Sequence, residues 1–315
     1  MLTLLQPFLD PGSRTYFAAL LVSGALALLL TRPGWTGLRA AAAAFLTPSS
    51  RLDVQLLLAR QLVRLAFLGP TVGGAWWVAN RVVGALDMLG RPALPTLPLA
   101  GLAYTIVLFV LWDASRFASH WLMHRVPALW TFHQVHHSAT NLTPLTFHRV
   151  HPVESVVYAL RGALVTGVAA GVWFWVFGTS PEVLTVLGVH AVGWTANLVT
   201  GNLRHSHVWL SFGPVERWLL SPAQHQLHHA LDHDHVNLGT WLACWDRMAG
   251  TLELAGSQPT TYGLRHANHT HDLLSAWMDP VLATIGWNPR AGAVSVGSGG
   301  AGVVDDDGNG DGGRC

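Results

Sequence analysis

The chain has 315 residues, half of them hydrophobic and only 11% charged, against about a quarter charged in an ordinary soluble domain. A formal net charge of +1 argues against nucleic acid as a partner. Two cysteines, Cys244 and Cys315, give no disulfide framework. Cys244 reads as inert packing within an apolar run. The opening MLTLLQPFLDPGS has no basic stretch and carries Asp10-Pro11, so it does not read as a secretory signal.

In chain order, uncharged segments cover 15–31 with 17 positions, 65–80 with 16, 92–112 with 21, 162–181 with 20 and 183–203 with 21. A membrane-spanning helix takes about 20 residues; the last three segments meet that length and the first two fall short. Residues 51–64 place Arg51, Arg60 and Arg64 among leucines, the pattern of an amphipathic helix lying at the membrane surface. Arginines 32, 39, 51, 60 and 64 follow the first segment, so the positive-inside rule puts that loop in the cytoplasm. The segments 162–181 and 183–203 then read as a hairpin, out and back, through a tight turn at 178–181. The expected architecture is an all-α integral membrane protein with four to five membrane-embedded helices under a cytoplasmic helical cap. Its parts are N-terminal membrane helices (1–100), a histidine-bearing domain (101–255), a C-terminal segment (256–290) and a Gly/Asp-rich tail (291–315). The tail lacks aromatics and reads as disordered. Its DDDGNGDG lacks the closing Glu of a calcium loop.

All 18 histidines follow residue 119. They form four short words: HWLMH (His120, His124), HQVHH (His133, His136, His137), RHSH (His205, His207) and HQLHH (His225, His228, His229). Spacings of three and four residues put side chains on one helical face. Imidazole is largely neutral at pH 7 and is then a metal ligand, suited to Fe, Zn, Cu and Ni. Crowding so many rings without a metal would leave buried ring nitrogens unpaired. Eight to ten histidines suffice for two metal ions. His148 and His190 read as hydrogen-bonded structural residues, His233 and His235 as part of a solvated loop, and His266, His269 and His271 as surface residues.

With those words placed, the chain resembles the fatty acid hydroxylase/sterol desaturase superfamily of membrane di-iron enzymes, in its bacterial sterol desaturase-like branch. DASRFASHWLMHRVPALWTFHQVHHS (113–138), HPVE (151–154), NLRHSH (202–207), SPAQHQLHH (221–229) and NLGTWLACWDRMAGTLE (237–253) carry the resemblance. It covers roughly 105–255. Ala249 stands where relatives often have Phe, and His207 where they often have a small polar residue.

The resemblance implies O2-dependent hydroxylation or desaturation of a lipid, such as a sterol or fatty acid, at two Fe ions, with Zn able to replace Fe on isolation. The implied ligands are His120, His124, His133, His136, His137, His205, His225, His228 and His229, with His207 and His151 as further candidates. No catalytic side chain beyond the ligands is implied. Electrons would come from a separate ferredoxin or cytochrome b5-like protein. Ligating histidines usually donate their second N–H to an acceptor; Asp113, Glu154, Asn202, Asn237 and Asp246 are the candidates to orient them. Asp113 reads equally as a helix-end charge, and Asp246 as a local cap. Trp173, Trp175 and Trp194 read as interfacial anchors or helix packing. The competing reading, a non-enzymatic membrane metal-binding or metal-transport protein, calls for histidines spread through the membrane midplane. Clustering at one end of the spans favours the enzyme.

Overall fold

The computed structural model describes residues 2–92, 94–95, 98–186, 189–265 and 271–287. The tail, His266 and His269 lie outside them. Among the described residues, regular structure is helical except for two antiparallel two-residue strands, β1 (Thr185–Val186) and β2 (Val189–His190).

The N-terminal half gives α1 (Leu2–Leu9), α2 (Phe17–Thr31), α3 (Trp35–Ala44) and α4 (Pro48–Asp87). The 40-residue α4 starts where the Thr47 side chain accepts from Ser50 N and Pro48 occupies the first turn, where its missing N–H costs nothing. α5 (Ala100–Arg125) and α6 (Pro127–His137) follow, and α7 (Pro152–Phe177) runs from His151-Pro152 to Gly178. Gly178 closes it at φ 68°, a left-handed cap that glycine adopts without strain. The remainder is short: α8 (Ala191–Ala196), α9 (Pro222–His228), α10 (Cys244–Ala249) and α11 (Leu273–Thr284), linked by single turns.

Two helices, α5 and α7, are long and apolar enough to cross a membrane. They run antiparallel, with Tyr104 near the start of α5 edge-on to Trp173 near the end of α7 at 5.1 Å. Leu108 and Ala169 complete that cluster. The outward positions are apolar too: Ile106, Leu111, Leu160 and Leu164 are exposed on the two helices, a surface suited to lipid. α7 also packs tightly along α4. A Cβ at Gly167 would fall 2.5 Å from Ala75 O, and one at Gly171 2.8 Å from Ala79 O. This small-xxx-small pair lets the two backbones touch.

Three expectations change. Residues 183–203 do not form a spanning helix. The segment starts where Leu184 N donates to Thr105 Oγ1 at 2.8 Å, passes through β1, β2, α8 and a π-helical turn (Asn197–Gly201), and ends at His205. It runs back alongside α5 as broken backbone. Such backbone is tolerated at membrane depth where it lines a cavity, and Val183, Thr185, His190 and Asn197 do line one. Residues 51–64 are not a separate surface helix but the first turns of α4. Leu52, Asp53 and Leu56 are fully buried there, against Val135 of α6 and Ala276 of α11 in the case of the leucines. Cys244 is exposed at the start of α10, not packed inside. As expected, His190 is a structural residue, its Nε2 donating to Thr105 O at 3.0 Å, and His148 meets Thr15 Oγ1 at 3.1 Å.

Candidate metal centre

The end of α5, the whole of α6, the turn at 203–205 and α9 converge at one end of the α5–α7 pair. They bring nine histidines into two groups. His120, His124, His133, His137 and His228 form one; His136, His205, His225 and His229 form the other, each group with its ligand atoms within 4.8 Å of one another. The two HxxHH words interlock. α6 sends its outer pair, His133 and His137, to the first group and its inner His136 to the second. α9 does the reverse, sending His225 and His229 to the second group and His228 to the first. HWLMH completes the first group and His205 the second.

Within the groups, Nε2 faces Nε2. His120 Nε2 lies 3.0 Å from His133 Nε2 and 3.2 Å from His124 Nε2. His205 Nε2 lies 3.1 Å from His225 Nε2 and 3.2 Å from His229 Nε2. Four rings have their other nitrogen fixed by an acceptor. His120 Nδ1 donates to Leu238 O at 2.6 Å, His133 Nδ1 to Glu154 Oε1 at 3.0 Å, His136 Nδ1 to Arg149 O at 3.2 Å and His228 Nδ1 to Val236 O at 2.8 Å. Each such bond places the ring proton on Nδ1 and leaves a lone pair on Nε2. Lone pairs 3 Å apart repel unless a cation lies between them. Two nitrogens about 2.1 Å from one ion and about 90° apart stand about 3.0 Å from each other, so the spacing fits shared ligation. His137 Nε2 and His228 Nε2 are buried with no hydrogen-bond partner, a cost that a metal ion removes.

Burial keeps the rings neutral. It pushes His133 and His136 down to about 3, with Arg116 adding to the effect on His133 and His133 to that on His136. His137, His205, His225, His228 and His229 are held well below the usual value for the same first cause, reinforced by neighbouring charge.

Of the other candidates, the structure brings neither His151 nor His207 to the groups. His151 caps α7, accepting from Val153 N at 3.1 Å through Nδ1 and donating to Trp277 O at 3.0 Å through Nε2. His207 is exposed. Among the proposed orienting residues only Glu154 touches a ring. Asp113 accepts from Trp241 N, Leu242 N and Trp245 Nε1 at 2.9–3.0 Å. Asp246 accepts from Leu238 N at 2.7 Å and Gly239 N at 2.8 Å. Both therefore act one peptide removed, holding the 236–242 loop whose carbonyls receive His120 and His228. Gly239 is required in that loop, because a Cβ there would sit 2.6 Å from Asp246 Oδ2 and from Leu220 Cδ1. Asn237, in the left-handed region at φ 52°, joins α9 to the chain beyond through Gln224 O and Glu253 N. Asn202 donates to Arg14 O at 2.8 Å.

Sequence reasoning missed three supports. Arg149 and Asp53 form a fully buried ion pair, Nε to Oδ1 at 2.6 Å, and Arg149 O is the acceptor for His136. Buried Glu216 accepts from Ser221 Oγ at 2.7 Å, anchoring the capping box with which Ser221 and Gln224 start α9. Gln226, inside HQLHH, donates to both Leu203 O and Val208 O at 2.8 Å and so ties α9 to the His205 turn. Only the Ser221–Gln224 spacing carried a readable signal.

Beside the histidines lies a chamber of about 40 Å³, bordered by His120, His133, His136, His205 and His225. A cavity of about 760 Å³ adjoins it, sharing Arg14, Arg116, Phe147 and Thr240 as walls. Its size is in the range of about 300–1,000 Å³ typical of small-molecule sites.

A family model for fatty acid hydroxylases matches residues 105–251, which hold all nine grouped histidines. The chain is 28% identical over 175 residues to human alkylglycerol monooxygenase, covering 52% of this chain and 36% of that protein. It is 25% identical to ornithine lipid hydroxylase OlsE of Rhizobium tropici, covering 48% and 42%. With cholesterol 25-hydroxylase of Rattus norvegicus the identity is 28%, covering 49% and 48%. The matched regions thus span under half the length of these relatives. No solved structure matches the chain. Residues 105–251, with their two interlocked histidine groups, match the fatty acid hydroxylase family, and the relatives support placing that region in the fatty acid hydroxylase/sterol desaturase superfamily.

Proposed function

We propose that the protein is a membrane-bound, O2-dependent lipid hydroxylase with two iron ions held by the nine grouped histidines. The observation that carries this reading is the reciprocal sharing of the two HxxHH words between a five-histidine and a four-histidine group. That arrangement suits two adjacent ions. The all-imidazole donor set suits iron among other metals, and the family favours iron. The activities for which the relatives are named, monooxygenase and hydroxylase on lipids, favour hydroxylation over desaturation.

Bound iron supplies reductive activation of O2 for insertion into a C–H bond. The net reaction takes a C–H compound, O2, two electrons and two protons to an alcohol and water. The electrons come from a separate ferredoxin or cytochrome b5-like protein. The protein's own residues do the rest. Glu154, Leu238 O, Arg149 O and Val236 O hold ring protons on Nδ1 and aim four Nε2 lone pairs inward. Asp113 and Asp246 keep the 236–242 loop in place. The wide cavity takes the lipid, and the narrow chamber excludes all but one or two water-sized groups, at about 30 Å³ each. His120 and His124 end α5 while Glu154 starts α7, so the centre sits at one membrane face. Arg116, Arg125, Arg149 and Arg204 lie at that end, which favours the cytoplasmic side.

The test is iron content and oxygen incorporation together. Detergent-purified protein from iron-supplied cells should hold about two Fe per chain, as two groups require, and with reductant and 18O2 should label a host-lipid product. Full iron loading in both His136→Ala and His228→Ala would remove the shared centre. Label appearing only from water would remove the oxygenase.

A further inference from the structure

The wall shared by the two cavities carries a concentration of positive charge, Arg14 and Arg116, with no carboxylate hydrogen-bonded or ion-paired to either guanidinium among the described residues. Arg14, in the turn between α1 and α2, is buried at 9% exposure. Among the described residues its guanidinium has no hydrogen bond and no ion pair, only the face of Phe147 at 4.4 Å. Arg116 of α5 lies over the Tyr158 ring at 4.8 Å, likewise with no carboxylate partner. The acids nearby are engaged elsewhere: Asp113 with the 241–245 backbone and indole, Glu154 with His133, and Asp10 with Gly12 N. Burial, then Arg116, Arg204 and Arg60, push Arg14 well below its usual value. A buried, unpaired guanidinium is costly, yet the fold secures it. Asn202 holds Arg14 O, and the next residue, Thr15, donates to Pro7 O and meets His148. The segment is built to keep Arg14 at this wall.

We propose that Arg14 and Arg116 form a seat for the acidic headgroup, a carboxylate or phosphate, of the lipid substrate at the mouth of the metal chamber. The proposal rests on the lipid-hydroxylase reading of the same site and adds which lipid and which carbon. An oxyanion between two guanidinium groups removes their uncompensated charge and can accept paired N–H bonds. The acyl chain then extends along the wide cavity, past Leu108, Phe109 and Trp112. The chamber beyond, at about 40 Å³, has no room for a chain. The C–H bond that meets the centre is therefore one within a few bonds of the headgroup, and the chain terminus points away. The overall reaction is unchanged: one atom of O2 enters that bond, the other leaves as water, and the separate redox protein supplies the two electrons.

The experiment uses full-length, iron-loaded protein in detergent and reads binding and turnover separately. The probes are hexadecanoyl lysophosphatidate against hexadecanoyl glycerol, hexadecanoate against hexadecanol, and inorganic phosphate alone. Each acidic lipid should bind about 10-fold or more tightly than its neutral partner, the scale of charge-assisted bonds. Arg14→Gln and Arg116→Gln should each erase that preference; Arg14→Lys should keep part of it. The oxygenated carbon, located by tandem mass spectrometry, should lie near the acidic group. Equal binding of acidic and neutral lipids by the wild type overturns the seat, as does phosphate binding without acidic-lipid preference. Terminal-chain oxidation overturns the orientation. An acid preference with no oxygenation of any lipid would keep the seat and remove the hydroxylase; oxygenation of neutral lipids indifferent to Arg14→Gln would do the opposite. Iron content checks that each variant folds, and the wild-type comparison stands if one does not.

Discussion

Removing the Asp53 carboxylate should loosen the second histidine word without touching a histidine. Arg149 and Asp53 are both 0% exposed at the side chain, with Nε–Oδ1 at 2.6 Å. Breaking a buried pair by deleting one partner costs about 3–5 kcal/mol, because the other charge is left without compensation. Here the low end applies. Arg149 keeps hydrogen bonds to Ser138 Oγ at 2.8 Å, Ser49 O at 2.6 Å and Ser49 Oγ at 3.0 Å. Asp53→Ala should therefore cost about 3 kcal/mol, a fall in the unfolding midpoint on the order of 5–10 °C. Because Arg149 O receives His136 Nδ1, iron should fall most in the four-histidine group. The double variant Asp53→Ala/Arg149→Leu removes the stranded charge and should recover part of the stability. Both are read by thermal unfolding in detergent and by iron content. A single variant within about 2 °C of wild type, or a double variant worse than the sum of both singles, would refute this account of the pair.

Glu154→Gln keeps an acceptor near His133 but removes the carboxylate. It should weaken metal affinity by about 10–100-fold, the range for groups that orient ligands, measured by chelator competition; unchanged affinity would remove Glu154 from that role. Gly171→Val should separate α4 from α7, since its Cβ would sit 2.8 Å from Ala79 O and from Val82 Cβ, and so should lower the unfolding midpoint more than Gly178→Ala, where no atom lies within 4 Å of the new Cβ. The metal-stripped protein should lose stability on acidification. His133 and His136 titrate near 3 when folded and near 6.5 when unfolded, so between those values the unfolded chain binds more protons. The stability these two contribute is complete above about pH 6.5 and falls by about 2.7 kcal/mol per pH unit as pH drops toward 3. An unfolding midpoint flat from pH 7 to 5 would contradict the burial of those rings.

Much of the centre was legible because the chemistry is local in sequence. The four words hold all nine grouped histidines, and Glu154 of HPVE meets His133 among them. Reciprocity was not legible. A spacing of three and four residues reads as a single helical face, yet the two histidine groups divide that face, His136 going one way and His133 and His137 the other. His205 and His207 are equivalent by composition; the turn at 203–205 decides between them by leaving His207 exposed. The apolar count over 183–203 measured hydropathy correctly but not continuity. Thr185, Gly193, Asn197 and Gly201 are poor material for an unbroken helix, and several of them face the cavity. The arginines of 51–64 masked Asp53, whose partner lies 96 positions away, a separation that no local pattern reports.

Those long-range supports share a logic with the twinned words. Each HxxHH helix is short, α6 with 11 residues and α9 with 7, and a helix of that length has little stability alone. α6 is held by the Val135 contact with Leu52, Leu56 and Ala276, and its C-terminal end by Arg149. α9 is held by its capping box and by Gln226. Because each helix gives histidines to both groups, displacing either one disturbs both groups at once. The separation between the groups is thereby set by two independent attachments to the scaffold. A chain that assigned one word to each group would let the two groups drift with their own helices. Exchange of the inner histidines couples the two groups, and metal ions held there, as proposed, would be kept at a fixed separation for joint action on one O2 molecule.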